Sequence, residues 1–371
     1  VQAVIGENIK NGEYEIYVSN DGEVWNKCDE TYGKITIKDS VYDPYHLNQP
    51  WADRFNWDRK IDITKEPYLA DNSGNTDVTE IIQKAIDDVH TNGGGIIYFP
   101  EGVYKHTGFQ MDSDVILMGD GMEKTKVIYA YKNDDVTSKQ MIGTKKEGKL
   151  YGKIGFMNIG FFLDDSPNQG IPDAYFWLGE DWGENISNGQ IKTAEYIFMK
   201  GCKIWAPMIR PEQGRGRGMG IVTVAKGHVL YENNILYGNS MSVMSNYISK
   251  YTHCINNSFT TSVGNLSIVG SHTVIEHNVI SRNWWYETDY MNSQGIFMRG
   301  YSYVAENIIK NTGKPGGNDG EIVCTEVYRA STRMAGSVEE AGKNYIKVNP
   351  YKGADGKPLG YETSGWYLDA A

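Results

Sequence analysis

The strongest structural signal in the chain is the stretch Gly93-Gly94-Gly95-Ile96-Ile97-Tyr98-Phe99-Pro100-Glu101-Gly102. Before it, between Asp77 and His90, apolar residues recur at helical spacing, and Asp77 is placed to cap the first turn. The glycine triplet is expected to end this helix, and the apolar run Ile96–Phe99 predicts a strand. The following Pro-Glu-Gly predicts a tight turn, because proline fixes φ and glycine accepts positive φ values. The sequence therefore predicts one helix that leads directly into a succession of short strands.

This string resembles the opening of right-handed parallel β-helix enzymes of the pectate-lyase-like superfamily. In that superfamily a helix caps the end of a solenoid, and each coil adds about three short strands. The resemblance covers roughly Asp62 to Tyr328. It implies an all-β solenoid and a polysaccharide hydrolase or lyase, with phage tail spikes and epimerases as other members. Because one fold supports several reactions, it limits the substrate class more than the reaction type.

A motif built around asparagine recurs in the second half of the chain. Its copies are Asn234, Asn257, Asn278 and Asn307, at intervals of 23, 21 and 29 residues, with looser matches at Asn158 and Gly201. Such a period is typical of a solenoid. Asparagine accepts left-handed backbone geometry at a tight corner, and its amide can bond the copies one coil above and below. The motif therefore predicts an asparagine ladder.

Composition favours a large secreted β protein, with 42 glycines and 26 tyrosines among 371 residues. We predict one parallel β-helix domain over residues 59–371, preceded by a β accessory segment over residues 1–58. In that segment, alternating apolar and polar residues around an Asn-Asp-Gly turn predict a hairpin. The hairpin resembles the last one of a discoidin-like or Ig-like module. The alternative is a strand pair packed across the N-terminal end of the solenoid.

Charge and cysteine usage exclude some classes of function. The net charge of −11 and the pI near 5.2 argue against a nucleic-acid partner. The four cysteines lack CxxC spacing, which argues against a zinc site, and we expect Cys202 and Cys254 to be buried free thiols rather than a disulfide. We also expect His228 and His272 on one stacked face of the coil.

The predicted location follows from the composition, and the absence of a signal segment does not exclude secretion of a longer precursor. No apolar run is long enough to span a bilayer, and no signal segment opens the chain. We expect a secreted or cell-surface protein that is cut from a longer precursor. Residues 365–368 read like a strand cut near its end, which agrees with that expectation.

The candidate site is expected along one edge of the solenoid, about six to ten positions after each ladder asparagine, where inserted segments gather acidic residues and tryptophans. Four such segments on one wall predict a cleft. Their marked residues are Asp164, Asp165, Asp173, Trp177, Glu180, Asp181 and Trp182; Trp205, Arg210, Arg215 and Arg217; Trp284, Trp285, Tyr286, Glu287 and Asp289; and Asp319 and Glu321.

These residue types suit glycan chemistry. Aromatic faces stack on sugar rings, while carboxylates and arginines bond hydroxyl groups in a fixed direction. Glycoside hydrolysis needs two carboxyl groups, about 5 to 5.5 Å apart for retention and about 6.5 to 9.5 Å apart for inversion. The predicted catalytic residues are Asp289 with Asp319 or Glu321, and further Asp164, Asp165 and Glu287. The predicted substrate-binding residues are Trp284, Trp285, Tyr286, Arg210, Arg299 and Trp177.

Other interpretations remain open for several of these residues. Asp319 lies in Gly-Gly-Asn-Asp-Gly, which a simple turn would also use. The Asp164-Asp165 pair resembles the adjacent aspartates of polygalacturonase-type hydrolases. The partner that those enzymes place one coil earlier is missing near residues 141–143, so a calcium site or a solvated turn fits the pair equally well.

The reaction itself also has alternatives. β-Elimination of a uronate polymer is the second reading, with Arg210, Arg215, Arg217, Arg299 or Lys314 as the basic groups. A noncatalytic glycan-binding solenoid is the third.

The sequence thus predicts an extracellular bacterial glycoside hydrolase that acts on a neutral or weakly charged plant or host glycan. Its partner would be an oligo- or polysaccharide, with no nucleic acid and no membrane span, and with further modules in a longer precursor. No metal ligands are assigned and no cofactor is required; calcium is the one cofactor that the acidic wall could hold.

Overall fold

The computed structural model describes residues 9–19, 21–28, 33–131, 137–144, 152–164, 172–178, 194–206, 219–238, 242–261, 265–282, 296–310 and 322–326. It divides into two compact units, Val1–Arg54 and Phe55–Ala371. The domain boundary at residue 58 and the discoidin-like or Ig-like character of the first segment stay predictions.

The first unit contains two short antiparallel strand pairs. Its elements are β1 (Gly12–Glu15), β2 (Tyr17–Val18), β3 (Asn26–Lys27), β4 (Lys34–Ile37) and a 3-10 helix (Ala52–Arg54). Strand β1 pairs with β4, and β2 pairs with β3. The predicted hairpin is confirmed as β2–β3. Its turn is fixed by Asp21, whose Oδ1 accepts the N–H groups of Glu23 and Val24 at 2.9 Å, and by Gly22 with φ of 79°.

In the second unit, the described residues form one helix and a long series of strands. In chain order these are β5 (Lys60–Asp62), β6 (Ser73–Asp77), α1 (Thr79–Thr91), β7 (Gly95–Phe99), β8 (Gly102–His106), β9 (Phe109–Met111), β10 (Val115–Gly119), β11 (Thr125–Tyr129), β12 (Thr137–Thr144), β13 (Lys153–Met157), β14 (Gly160–Leu163), β15 (Pro172–Leu178), β16 (Ala194–Lys200), β17 (Lys203–Ala206), β18 (Met219–Glu232), β19 (Ile235–Gly238), β20 (Ser242–Ile255), β21 (Ser258–Thr261), β22 (Asn265–Glu276), β23 (Val279–Arg282), β24 (Ile296–Ala305), β25 (Ile308–Lys310) and β26 (Ile322–Glu326).

These strands form three parallel faces, which the chain visits in the same order in each coil. Face 1 holds β5, β7, β10, β13, β16 and the C-terminal halves of β18, β20, β22 and β24. Face 2 holds β6, β8, β11, β14, β17, β19, β21, β23 and β25. Face 3 holds β9, β12, β15, the N-terminal halves of β18, β20, β22 and β24, and β26. The predicted right-handed parallel β-helix is confirmed.

Helix α1 closes the N-terminal end of the solenoid, as predicted. It buries Ile82, Ala85, Ile86 and Val89, which recur at helical spacing. Asp77 precedes the helix, and its Oδ1 accepts the Thr79 N–H at 2.8 Å. The glycine triplet then takes positive φ values and passes the chain into β7.

The core is built from side chains that repeat at the same register position in successive coils. On face 1 these are Ile97, Leu117, Phe156, Met199, Tyr231, Cys254 and Ile275. On face 2 they are Tyr104, Val127, Phe161, Ile204, Leu236, Phe259 and Ile280. Each coil therefore buries its apolar side chains against the next one.

The two thiols predicted to be buried and free are confirmed. Cys202 and Cys254 are fully buried and unbridged. Burial raises the pKa of Cys202 to about 12, so this thiol stays protonated at neutral pH.

The predicted asparagine ladder is also confirmed, and it lies at the corner between faces 1 and 2. The Oδ1 of Asn257 accepts the backbone N–H of Asn234 at 3.0 Å and its Nδ2–H at 2.9 Å. In the same way, Asn278 Oδ1 accepts the backbone N–H and the Nδ2–H of Asn257 at 2.9 and 3.0 Å. Asn307 Oδ1 accepts the corresponding groups of Asn278 at 3.0 and 2.9 Å. The ladder starts at Cys202, whose N–H donates to Asn234 Oδ1 at 2.9 Å.

The left-handed backbone geometry falls one residue before each ladder position, which corrects the predicted register. The residues at this corner position are Asn158, Gly201, Asn233, Asn256, His277 and Glu306, with φ from 53° to 64°. Asn158 and Gly201 are therefore corner residues, and Ile159 and Cys202 occupy the ladder position in their coils. One residue of the corner supplies the backbone bend, and the next supplies the amide.

Candidate functional site

The inserted segments share one edge of the solenoid, where each coil passes from face 2 to face 3. We call this the face 2–face 3 edge. Its connections in the second half are residues 207–218, 239–241, 262–264, 283–295 and 311–321. The flanking strands pair in register on both faces, so all these connections start and finish along the same edge.

Most of the predicted site residues lie outside the described residues. In the connections 165–171 and 207–218 these are Asp165, Arg210, Arg215 and Arg217. In the connections 283–295 and 311–321 they are Trp284, Trp285, Tyr286, Glu287, Asp289, Lys314, Asp319 and Glu321. Their catalytic and binding roles stay predictions.

The strands that hold the Asp289 and Asp319 segments are direct neighbours at both ends. On face 2, Ile280 of β23 pairs with Ile309 of β25. On face 3, Ile296 of β24 pairs with Ile322 of β26. The two connections therefore belong to consecutive coils, and neighbouring strands are about 4.8 Å apart.

Asp164 stands at the same edge but far along the solenoid. It directly follows β14, and its N–H donates to the Tyr129 carbonyl at 2.9 Å. In face 2, β14 and β23 are four strands apart, which corresponds to roughly 19 Å at ~4.8 Å per strand. Asp164 and Asp289 therefore start from strands too far apart to suit one carboxyl pair.

The strand register shows which connection lies one coil before Asp164 and could hold a second carboxylate. Because Tyr129 precedes Leu163 by one coil, the connection one coil before Asp164 is 130–136 and not the stretch near residues 141–143. That connection contains Asp134 and Asp135, a second aspartate pair. Sequence reasoning missed it, although a search for repeated Asp-Asp pairs would have found it.

The first predicted inserted segment, which holds the marked residues from Asp164 to Trp182, is divided by a strand. Asp173 and Trp177 lie in β15 on face 3, where Trp177 pairs with Val222, so their predicted loop position is wrong. The Trp177 side chain is 8% exposed, which leaves little of the indole for stacking on a sugar. Glu180, Asp181 and Trp182 fall in the connection 179–193, which leaves face 3 for face 1 and so belongs to a different edge.

Two further predicted residues lie within strands. Arg299 is in β24 on face 3, at the register position between Val269 and Glu326. Trp205 was expected in a loop, but it lies in β17 on face 2 and is partly buried.

Aromatic rings and lysines form a column on the outer side of face 2, around Trp205. The Trp205 ring stacks on Tyr237, with centroids 4.1 Å apart and planes 13° from parallel. The Lys203 ammonium lies 4.7 Å from the Trp205 ring centroid and 5.7 Å from that of Phe162. Lys126 Nζ lies 5.8 Å from the Phe162 centroid. We call these five residues the face 2 strip.

A second aromatic column lies on face 1. His228 stacks between Tyr196, at 5.6 Å, and Tyr251, at 4.8 Å. His272 follows at the same register position, as predicted, and Tyr301 follows His272.

The described histidine nearest the edge in the first coils is unsuited to acid–base catalysis. His106 ends β8 and is fully buried, and desolvation lowers its pKa to about 3. Its Nδ1 accepts the Gly108 N–H at 3.2 Å, so the neutral ring carries its proton on Nε2. Its ring packs against the rings of Phe109 and Tyr129 and is part of the buried core.

The described part of the chain holds no cluster of three or more His, Cys, Asp or Glu side chains arranged to bind a metal ion. No helix among those residues is long and apolar enough to cross a bilayer.

The coiled strands and the shared edge define a pectate-lyase-like solenoid. The sequence model of the family described as rhamnogalacturonase A/epimerase, pectate lyase-like, matches residues 66–318, more than half of the chain. The chain therefore belongs to this family.

Individual relatives are more distant. The chain is 26% identical over 197 residues to alginate lyase 7 of Azotobacter vinelandii, a match that covers 48% of this chain and only 22% of that protein. Among solved structures it is similar to the A-module of mannuronan C-5 epimerase AlgE4 of A. vinelandii, with 14% identity, a TM-score of 0.39 and coverage of 78% and 86% of the two chains. Pectin methylesterase PemA of Erwinia chrysanthemi matches with 9% identity, a TM-score of 0.36 and coverage of 78% and 95%. All three are carbohydrate-active enzymes.

Proposed function

We propose that the protein is a secreted or cell-surface bacterial enzyme that cleaves a polysaccharide by glycoside hydrolysis. The reacting carboxyl groups would come from consecutive coils, Asp289 from one and Asp319 or Glu321 from the next. The observation that carries this proposal is the pairing of β23 with β25 and of β24 with β26, which ties the two carboxylate-bearing connections to neighbouring strands at both ends.

Strand spacing supports a two-carboxylate mechanism at this place. Neighbouring coils are about 4.8 Å apart, close to the carboxyl separation of retaining enzymes, and side chains that diverge would reach the larger separation of inverting ones. One carboxyl group would stay protonated as the general acid, and the other would be ionised as base or nucleophile. Trp284, Trp285 and Tyr286 precede Asp289 and would stack on the sugar rings.

A second candidate reaction is β-elimination on a uronate-containing polysaccharide. The similarity to alginate lyase 7 over 197 residues favours it. Arg299 or Arg210 would then take the proton next to the sugar carboxylate, with calcium or another basic group neutralising that carboxylate. Both candidates require a polysaccharide partner, and only elimination leaves an unsaturated sugar.

The test is a set of isosteric variants assayed on polygalacturonate, rhamnogalacturonan, alginate and xylan. Reducing ends and the ultraviolet absorbance of unsaturated products are followed together. For hydrolysis we expect new reducing ends without absorbance, and a fall of about 10²- to 10⁴-fold in kcat for Asp289→Asn and for either Asp319→Asn or Glu321→Gln. Asp164→Asn is the matched control, because β14 lies four strands from β23.

Three results would contradict the hydrolase proposal. Unsaturated products from the wild-type protein would assign elimination instead. Binding of a glycan without any product would assign a noncatalytic role. Full activity of the Asp289→Asn variant would show that Asp289 is not one of the reacting carboxyl groups. The assignment to the family would not be affected.

A further inference from the structure

Face 2 has an unusual charge for this protein. The chain as a whole carries a net charge of −11. In contrast, the face 2 strands from β8 to β25 contain no aspartate or glutamate, while they contain Lys105, Lys126, Lys203, Arg282 and Lys310. Lys105, Lys126 and Lys203 have partly exposed side chains, so the described part of this face has a cationic surface on an acidic molecule.

The face 2 strip concentrates this property in its described residues. All five members, Lys126, Phe162, Lys203, Trp205 and Tyr237, are partly exposed. The ring faces are already occupied, because Trp205 and Tyr237 stack on each other and the two ammonium groups lie over the Phe162 and Trp205 rings. Ring edges and ammonium groups are what remain to meet a ligand. The edge of an aromatic ring is the positive part of its quadrupole, so the edges add to the lysine charges.

The carboxylate of Glu123 neutralises part of the positive charge of the face 2 strip. Lys203 Nζ lies 2.6 Å from Oε1 of Glu123, in the turn before β11, and the Glu123 side chain is 61% exposed. Lys126 forms no ion pair with any described residue. The strip thus holds one lysine that is available to an anion and one that an exposed glutamate partly neutralises.

We propose that the face 2 strip is an accessory binding surface for the chain of an anionic polysaccharide, lying along the solenoid axis. The polysaccharide class rests on the proposed function, and its anionic character rests on the charge of the strip. Neighbouring strands offer a cation or a ring edge about every 4.8 Å, so a linear polymer with a carboxylate on each sugar meets successive contacts. The carboxylates of the polymer would pair with Lys126 and Lys203, and the positive ring edges would face the same carboxylates.

The experiment measures retention of the full chain in affinity gels containing polygalacturonate or alginate, with xylan as the neutral comparison. We expect retention only by the acidic polymers, and weaker retention as salt is added. Lys126→Gln should weaken binding about two- to fivefold, the size of one exposed ion pair. Lys84→Gln is its control, because Lys84 carries the same charge on helix α1 and its side chain is 57% exposed.

A second variant should act in the opposite direction. Glu123→Gln releases Lys203 from its carboxylate, and we expect about two- to fivefold tighter binding to the acidic polymers. Glu80→Gln on α1 makes the same change of net charge and should have no such effect. A gain of affinity cannot result from misfolding, so this pair keeps the test informative if Lys126→Gln is unstable.

The proposal is overturned if xylan is retained as strongly as the acidic polymers. It is also overturned if the strip variants match their helix controls, or if single-stranded DNA is retained more strongly than either polyuronate. Turnover of short oligosaccharides should be unchanged in both strip variants. If the wild-type protein shows no turnover, the proposed function is rejected, but the measured binding to the acidic polymers is still valid. The two failures can therefore be distinguished.

Discussion

Replacing Asn257 with alanine should destabilise the solenoid strongly, because this side chain is a fully buried rung of the ladder. Its Oδ1 accepts the Asn234 backbone N–H at 3.0 Å. Its Nδ2 donates to the Tyr231 carbonyl at 2.9 Å and to Asn278 Oδ1 at 3.0 Å. Alanine removes all of these bonds.

The magnitude follows from which groups lose their partner. The Asn234 N–H is left without an acceptor inside the protein, which costs about 1 to 3 kcal/mol. The bonds lost at the Tyr231 carbonyl and at Asn278 Oδ1 add about 0.5 to 1.5 kcal/mol each. We therefore expect a loss of about 2 to 6 kcal/mol in the free energy of unfolding, a large part of the roughly 5 to 15 kcal/mol typical of a domain.

The assay is urea denaturation followed by far-ultraviolet circular dichroism. Asn256→Gly is the control in the adjacent exposed position, where φ is 56° and glycine is well accommodated, so its stability should change little. Asn257→Asp separates volume from hydrogen bonding, because it keeps the size but loses the donors and brings a charge into a buried site. A loss below about 1 kcal/mol for Asn257→Ala, or one equal to that of Asn256→Gly, would refute the reasoning.

Two neighbouring glycines and one buried histidine give further predictions. Gly93→Ala should cost about 1 to 2 kcal/mol, because φ is +88° but nothing lies within 4 Å of the new Cβ. Gly94→Ala, with φ of +82°, should cost clearly more, because its Cβ would meet the Asp114 carbonyl oxygen at 2.6 Å; equal thermal stability of the two variants would contradict this. Burial lowers the pKa of His106 to about 3, below the unfolded value near 6.5, so the unfolded chain binds the extra proton and stability should fall as pH drops from 6.5 towards 3. Denaturation at several pH values should show a shallower dependence of the free energy of unfolding on pH in His106→Leu than in the wild-type protein.

The fold was predictable because its signals are local and repeated. Helical spacing before the glycine triplet indicated α1, and the recurring asparagine indicated the corner between faces 1 and 2. The one-residue error at Asn158 and Gly201 has a physical cause. In coils with two consecutive asparagines, the first bends the backbone and the second bonds, and a single asparagine does not say which task it performs.

The site was less predictable, because inserted segments do not repeat. Trp177 was assigned to a loop, although residues 174–178 form the continuous apolar run of a buried strand. The polar residues on both sides of this run suggested one long excursion. Asp134 and Asp135 were overlooked because the strand pairing that puts their connection one coil before the Asp164 connection is a property of the assembled coils.

The amide ladder has a direction, since Asn234, Asn257 and Asn278 each donate the backbone N–H and one side-chain N–H to the Oδ1 of the ladder asparagine that follows in the chain. Adding or deleting one whole turn of the spiral between two rungs leaves every remaining donor facing an acceptor. Proteins of this construction can therefore lengthen by duplication of complete turns, and the reach of their surfaces along a polymer can change in steps without rebuilding the interior.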